Sequence, residues 1–269
     1  MYNLLKGKKG IIFGALDEKS IAWITALKCS EEGAQIVLSN APVAMRMGEI
    51  NKLAEKINAP VIACDVSNGE DVENLIIKTM EHFGGGFDFI LHSIGMSLNV
   101  RKGKHYTEID YAHNLKTFES SSMSLHRVLA ACMRHDALNE WGSVVALTYI
   151  AAQRVFPDYN EMADAKSLLE SVARSFGYHY GVKKHVRINT VSQSPTRTTA
   201  GSGVKGFDGF ISYAEKMSPL GNASAEDCGN YCVTLFSDLT RMVTMQNLFH
   251  DGGFSNTGVT SGVIEQMEK

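Results

Sequence analysis

The sequence has little proline, no dominant charge and no long apolar run. Five prolines in 269 residues leave no proline-rich linker, so we expect a single domain over residues 1–269. No uninterrupted stretch of about 18 apolar residues occurs, and the apolar run at 11–16 is too short for a secretory signal. Lysine and arginine total 26 against 29 acidic residues, so the net charge of -3 provides no global basic field. We therefore expect neither membrane insertion nor nucleic-acid binding.

The cysteines predict no metal site. There are five of them, an odd number at scattered spacings. Cys228 and Cys232 lie one helical turn apart, but no histidine or second cysteine pair completes a zinc set. Reduced, buried thiols are the expected state, and they indicate a cytoplasmic protein.

Short apolar runs alternate with longer amphipathic segments along the chain. Because parallel strands are covered on both faces, their sequences are apolar throughout and do not alternate. The pattern predicts an α/β fold, a Rossmann-type doubly wound parallel sheet of seven strands with helices on both faces. Its ligand should lie beyond the carboxyl ends of the strands. The predicted strands are 10–14, 35–39, 60–65, 87–92, 142–148, 186–191 and 247–250, and the predicted helices include 20–32, 47–57, 71–83, 119–134 and 162–178.

The first strand-to-helix turn lacks the G-x-G-x-x-G dinucleotide fingerprint. Gly14 ends the first strand, and five residues separate it from Ser20-Ile21-Ala22. A glycine followed by a free helix N-terminus suits a phosphate, and a plain loop would look the same. After the second strand, Ser39-Asn40-Ala41 provides neither the acidic side chain that favours NAD nor the arginine that favours NADP. Asp65-Val66, after the third strand, could contact an adenine ring or cap a helix.

Two tyrosine–lysine pairs are candidates for chemistry. Tyr159 and Lys166 are seven residues apart, so on one helix they would project from the same face. A nearby ammonium favours a phenol that donates a strong hydrogen bond or a proton, although this spacing also arises by chance. Tyr180 and Lys184 have the four-residue spacing of carbonyl reductases. We expect them at the frayed, solvated end of the helix, at the edge of the sheet away from the ligand.

These motifs together resemble the NADH-dependent enoyl-acyl carrier protein reductases of bacteria, a branch of the short-chain dehydrogenase/reductase superfamily. The resemblance runs from about residue 7 to 258. It rests on Gly14-x5-Ser20-Ile21-Ala22, Asp65-Val66, His92-Ser93-Ile94-Gly95, Tyr149-x9-Tyr159-x6-Lys166, Val186-Arg187-Ile188-Asn189 and Asp251-Gly252-Gly253-Phe254-Ser255.

The resemblance implies a role for each matching residue. Tyr159 would hydrogen-bond the thioester carbonyl, Lys166 would hold the nicotinamide ribose, and Tyr149 would line the acyl pocket as the third catalytic candidate. A substrate-binding segment is expected at about 196–215. The implied cofactor contacts are Gly14, Ser20, Ile21, Asp65, Val66, Ser93, Ile94, Gly95, Lys166, Pro195 and Thr198. The implied substrate contacts are Met96, Ser97, Tyr149, Tyr159, Met162, Val204 and Phe207.

The implied activity is reduction of the trans-2 double bond of an enoyl thioester in fatty acid elongation. The implied cofactor is NADH, with NADPH left open, and the implied partners are acyl carrier protein and further copies of the chain in a homotetramer. A 3-oxoacyl (carbonyl) reductase and a catalytically silent nucleotide-binding protein are the alternatives.

Three departures from the family pattern indicate a divergent member. Ile24 stands where a glycine of the first helix is usual, which predicts a looser helix crossing. Met245 and Gln246 replace a small-residue–glycine pair before the last strand. Lys205 alone represents the cations that the family often carries near the portal, which puts the docking surface for the carrier protein in doubt.

Overall fold

Seven parallel strands form one sheet in the order β3-β2-β1-β4-β5-β6-β7. The computed structural model describes residues 2–46, 49–199 and 206–268. Every neighbouring pair of strands is parallel, so each connection must cross over the sheet. The predicted doubly wound Rossmann-type sheet is confirmed. The strands are β1 Lys9–Phe13, β2 Gln35–Asn40, β3 Val61–Ala63, β4 Phe87–His92, β5 Leu138–Thr148, β6 Arg187–Gln193 and β7 Asn247–His250.

Helices cover both faces of the sheet and enclose two apolar cores. On one face, side chains such as Trp23, Leu53 and Phe236 of α1, α3 and α10 pack on the strands. On the other face, α4, α7 and α8 supply Leu75, Leu129 and Leu169. The helices are α1 Ile21–Glu31, α2 Pro42–Met45, α3 Ile50–Ile57, α4 Gly69–Phe83, α5 Leu98–Arg101, α6 Tyr111–Phe118, α7 Ser124–Arg134, α8 Glu161–Lys184, α9 Phe207–Met217, α10 Ala225–Phe236 and α11 Ser261–Met267.

The predicted helix at 119–134 is part of a longer and irregular element. It is preceded by α6, and a π-helical turn at Glu119–Met123 joins α6 to α7. Two serine hydroxyl groups of this turn hydrogen-bond the backbone of neighbouring segments. Ser121 Oγ accepts from Met96 N at 3.0 Å, and Ser122 Oγ donates to Ala165 O at 2.6 Å. The turn therefore supports the segment after β4 and the middle of α8.

The crossing of α1 and α10 is close, so the prediction of a looser crossing is wrong. A Cβ built on Gly229 of α10 would lie 3.3 Å from Ile24 Cγ2 and 3.5 Å from Thr25 Cα. The larger side chain on α1 is accommodated because the facing position on α10 is a glycine. The helices therefore approach closely with Ile24 on α1 and Gly229 on α10.

The carboxyl end of α8 is ordered where fraying was predicted. The helix continues to Lys184, six residues beyond the predicted end at 178. Tyr180 is 2% exposed, and its hydroxyl donates to Leu129 O at 3.0 Å. Lys184 pairs with Asp136 at 2.7 Å and donates to Leu138 O, at the start of β5. Burial of the tyrosine, which the sequence pattern did not signal, stabilises this last turn.

Two absences hold for the described residues. Across 2–46, 49–199 and 206–268, no helix has the length and apolar character needed to cross a membrane. No group of three or more metal-ligating side chains converges in that same part of the chain. All five cysteines are buried and unpaired with one another, as the sequence predicts.

Candidate active site

A cleft of about 440 Å³ opens beyond the carboxyl ends of the central strands. Its walls come from the segments that follow β4, β5 and β6, together with the first turns of α8. This is the edge at which doubly wound sheets bind ligands. The lining residues are Ile21, Ser93, Ile94, Gly95, Met96, Ser97, Val100, Arg101, Leu147, Thr148, Tyr149, Phe156, Pro157, Asp158, Tyr159, Met162, Lys166, Gln193, Ser194, Pro195, Thr196, Thr198, Gly206, Phe207 and Phe210.

Tyr149 and Tyr159 lie side by side in the cleft, with ring centroids 5.2 Å apart. Phe156 and Phe210 pack on Tyr149 at 5.5 and 5.9 Å, so one phenol edge is surrounded by aromatic carbon. Burial raises the pKa of both phenols above the ordinary value. Each tyrosine is therefore protonated at neutral pH and can donate a hydrogen bond. Within the described residues the buried Tyr149 hydroxyl has no partner.

Lys166 reaches the cleft from α8 and is anchored by two carbonyl groups. Its Nζ donates to Leu147 O at 2.8 Å and to Ile94 O at 3.3 Å, and the residue is 7% exposed. Burial lowers the pKa of Lys166 to about 8, while Glu170, one turn further along α8, opposes that shift. An ammonium carries three donors, so one remains for a group in the cleft. A Cβ on Gly95 would lie 3.5 Å from Nζ, at ordinary contact distance, so a side chain there would cover part of the ammonium.

Tyr159 and Lys166 meet at the cleft, but not as two residues of one helix. Pro157–Tyr159 form a separate 3-10 turn, and α8 begins at Glu161. Asn160 between them has φ of +45°, a conformation that breaks the helical path. The helical argument for their shared face is therefore wrong. Both side chains line one cleft, Tyr159 from the 3-10 turn and Lys166 from α8.

His92, the last residue of β4, lies fully buried near Lys166. Its Nε2 hydrogen-bonds Ser124 Oγ at 2.8 Å. Burial, with a smaller contribution from the Lys166 charge, lowers the pKa of His92 to about 3. The imidazole is thus neutral at neutral pH and adds no second positive charge to the site.

The turn at Gly14, which follows β1, lies directly against Ser93, which follows β4. Gly14 has φ of +92°, and a Cβ there would lie 2.0 Å from Ser93 O. Ser20 uses its hydroxyl locally, since it donates to Asp17 O and accepts from Leu16 N. Ile21, the first residue of α1, lines the cleft, whereas Gly14 and Ser20 do not. The turn shapes the cleft through the backbone.

Asp65 and Val66 follow β3 and lie away from the cleft lining. Asp65 is exposed, and its carboxylate accepts from Ser67 N and Oγ at 2.9 and 2.6 Å. The helix cap of α4 is Asn68, so the alternative assignment of Asp65 as a helix cap is wrong. Asn40 donates to Ala15 O at 2.9 Å, which ties the end of β2 to the glycine turn.

The structure places most of the predicted contacts in one cleft. Those lining it are Ile21, Ser93, Ile94, Gly95, Met96, Ser97, Tyr149, Tyr159, Met162, Lys166, Pro195, Thr198 and Phe207. Val204 and Lys205 lie outside the described residues. Phe156 and Phe210 also line the cleft, and sequence reasoning missed both. Phe156 sits three residues before the predicted Tyr159, and Phe210 lies within the predicted substrate-binding segment at about 196–215, so each position carried a sequence signal although neither residue was singled out.

Comparisons with known proteins agree with this geometry. A family model described as enoyl-(acyl carrier protein) reductase matches residues 14–255. The enoyl-[acyl-carrier-protein] reductase [NADH] 2 of Rhizobium meliloti (strain 1021) is 32% identical over 262 residues, which is 96% of this chain and 96% of that protein.

Solved structures give the same result. The crystal structure of a FabI–NADH complex from Alistipes finegoldii has 64% identity and a TM-score of 0.95, covering 96% of this chain and 92% of that one. The enoyl-[acyl-carrier-protein] reductase (NADH) of Aquifex aeolicus VF5 has 32% identity and a TM-score of 0.88, covering 96% of this chain and 100% of that one. The resemblance inferred from the motifs is confirmed, and the chain belongs to the enoyl-acyl carrier protein reductase family.

Proposed function

We propose that this protein reduces the trans-2 double bond of enoyl-acyl carrier protein thioesters with NADH, in fatty acid biosynthesis. The observation that carries the proposal is the joint position of Tyr159 and Lys166 on one aromatic cleft at the carboxyl edge of the sheet. The matching relatives named as NADH-dependent reductases support the same cofactor.

The residues fit a nicotinamide cofactor at the Lys166 side of the cleft. NADH, when bound, would supply a hydride for the β-carbon of the substrate. Lys166 would hold the ribose hydroxyls with its third donor, because the other two are taken by Leu147 O and Ile94 O. Gly95 leaves room above the ammonium, and Pro195 and Thr198 border the cleft from the segment after β6. Gly14, Ser20, Asp65 and Val66, which lie outside this lining, remain proposed cofactor contacts at its far end.

Tyr159 would stabilise the charge that develops on the thioester oxygen. Its raised pKa keeps the proton on the phenol, so the hydroxyl can donate to that oxygen as it becomes an enolate. Donors aimed at developing charge lower the barrier selectively, because they act more strongly in the transition state than on the bound substrate. Tyr149, Met162 and Phe207 would enclose the acyl chain, with Met96, Ser97 and Val204 as further contacts. The segment 196–215 would cover it.

A 3-oxoacyl reductase would need a tyrosine and lysine four residues apart beside the cofactor. The pair with that spacing, Tyr180 and Lys184, lies at the end of α8 that contacts the start of β5, far from the cleft. The described geometry therefore favours the enoyl reductase.

An assay with two thioesters tests the proposal. Crotonyl and acetoacetyl thioesters are incubated with the protein and either NADH or NADPH, and the absorbance at 340 nm is followed. We expect cofactor oxidation with the crotonyl thioester and NADH. Turnover of the acetoacetyl thioester alone would favour the carbonyl reductase, and NADH binding without turnover would favour a silent nucleotide-binding protein.

We also propose a homotetramer, which the family resemblance implies, and a cytoplasmic location, which the free, buried cysteines support. The mass of the protein in solution, by light scattering, tests the assembly.

A further inference from the structure

Glu161, the first residue of α8, is a fully buried carboxyl group outside the cleft lining. Its Oε1 accepts from Ser97 Oγ at 2.5 Å and from Asn99 Nδ2 at 3.2 Å. The single proton of Thr117 Oγ1 is shared between Oε1 at 3.1 Å and His113 O at 3.0 Å, and within the described residues Oε2 has no partner. Burying a carboxyl group is unfavourable unless such donors compensate it. The three donors come from α5 and α6 and the residue before α5, so this one group joins three parts of the chain.

One of the donors to Glu161, Ser97, lies in the wall of the cleft. Ser97 is the N-cap of α5, where its hydroxyl also accepts from Val100 N at 3.0 Å. Ser97 and Val100 both line the cleft. Asn99 extends the network, since its amide exchanges hydrogen bonds with the backbone of Asp110 at 3.0 and 3.1 Å. The segment 97–101 is therefore held to the body of the protein through Glu161.

Glu161 also belongs to the turn that carries Tyr159. Two residues separate them, and Asn160 between them is 4% exposed with a positive φ. Val100 packs against Met162 and Ala165, with Tyr159 at the edge of the same cluster. The distance between the 97–101 wall and Tyr159 thus depends on where Glu161 holds Ser97 and Asn99. On the cofactor side, the same loop is held independently by Lys166, which donates to Ile94 O.

We propose that Glu161 is a positioning residue for the reductase reaction, which fixes the wall at 97–101 against the turn carrying Tyr159 and so sets the width of the acyl side of the cleft. This inference rests on the proposed function. Glu161 acts through Ser97 and Asn99 and does not touch the substrate. It controls the affinity for the enoyl thioester while leaving the cofactor side unchanged.

The test compares Glu161→Leu, which removes the acceptor, with Glu161→Gln, which keeps a carbonyl oxygen in the same place. For Glu161→Leu we expect KM for crotonyl thioester to rise about tenfold, the effect of losing buried hydrogen bonds. The Kd for NADH, measured by fluorescence, and kcat should stay within about twofold of wild type. Glu161→Gln should restore KM to within about threefold of wild type.

Thr117→Val is the matched control. It removes one hydrogen bond to the same carboxyl group from a buried residue that is not part of the cleft wall. We expect wild-type KM for this variant. An unchanged KM in Glu161→Leu, an equal rise in Thr117→Val, or a parallel rise in the Kd for NADH would overturn the proposal, since each indicates a structural role without control of the acyl side.

Hydrogen exchange separates this proposal from the proposed function. The amides of Val100 and Asp110 donate to Ser97 and Asn99, so both should exchange faster in Glu161→Leu, or in Glu161→Ala should the first variant not fold. Unchanged exchange at both amides would contradict the role of Glu161. A wild-type protein that fails to reduce crotonyl thioester would instead contradict the proposed function, and the exchange measurement would still test Glu161.

Discussion

Lys166 shows how the fold tunes a single side chain. Burial lowers the pKa of the ammonium to about 8, and the carboxylate of Glu170 opposes that shift. Leu147 O and Ile94 O accept hydrogen bonds from Nζ. Glu170 is itself held by Thr148 and Asn247, at 2.9 and 3.2 Å, so it cannot turn away from α8. The pKa of Lys166 therefore lies close to neutral pH, so a modest rise in pH removes its proton.

The pH dependence of cofactor use follows from that position. Lys166 is charged below pH about 8 and neutral above it. We expect kcat/KM for NADH to fall as the pH rises through about 8, because kcat/KM reports groups of the free enzyme. In Glu170→Gln the carboxylate that raises the pKa of Lys166 is gone, so the fall should begin at a lower pH.

A second carboxylate provides the control for this profile. Asp136 pairs with Lys184 at the far end of α8, so Asp136→Asn should leave the pH of the fall unchanged. A rate that stays level to pH 9.5, or a profile that is identical in Glu170→Gln, would contradict the account of Lys166.

At the scale of elements, the sequence spacing predicted which residues share the cleft but not the backbone path that brings them there. The sequence shows Tyr159 and Lys166 seven residues apart, and the structure brings both to one cleft. The route differs because Asn160 adopts a positive φ, a tertiary effect that no periodicity reports. The closeness of Tyr149 to Phe210, on a different element, likewise depends on packing across the sheet edge.

The crossing of α1 and α10 illustrates compensation between elements. Read alone, Ile24 predicts that the helices separate, yet Gly229 on the facing helix provides the space. A pattern on one helix cannot predict the residue opposite it, because the pairing is fixed by the fold.

A double-mutant cycle tests this compensation. Gly229→Leu should lower the free energy of unfolding by about 1–3 kcal/mol, because the new side chain would overlap Ile24 and the backbone at Thr25. In Gly229→Leu with Ile24→Ala, part of that loss should be recovered. Denaturant titration gives the free energy of unfolding of the wild type, Gly229→Leu, Ile24→Ala and the double variant. Additive losses in the double variant would show that the two positions do not share one space.

At the scale of the whole molecule, apolar runs predicted the sheet well and the surface segments poorly. All seven strands occur near the predicted places, and β1 and β4 carry the apolar runs that indicate burial on both faces. The sequence of β6 is more polar, and the edge strands β3 and β7 are only partly buried. Some helices begin or end several residues away from the predicted positions. An N-cap such as Asn68 decides where a helix starts, and a buried side chain such as Tyr180 extends the helix that carries it. The cleft could be placed at the carboxyl edge because parallel strands all end there.

The fold thus places a phenol and an ammonium from different turns on one cleft with separate proposed tasks. In the proposed reaction Tyr159 would stabilise the thioester oxygen, and Lys166 would hold the cofactor. Tyr180→Phe is the matched control, since it removes a buried phenol from the opposite end of α8.

The most direct measurement is the rate and the NADH affinity of Tyr159→Phe and Lys166→Ala, taken side by side with crotonyl thioester. We predict that Tyr159→Phe lowers kcat on the order of 100- to 1000-fold with little change in the Kd for NADH. Lys166→Ala should instead lose NADH binding, and Tyr180→Phe should keep both values. Equal loss of NADH affinity in the Tyr159 and Lys166 variants would contradict this division between the two residues.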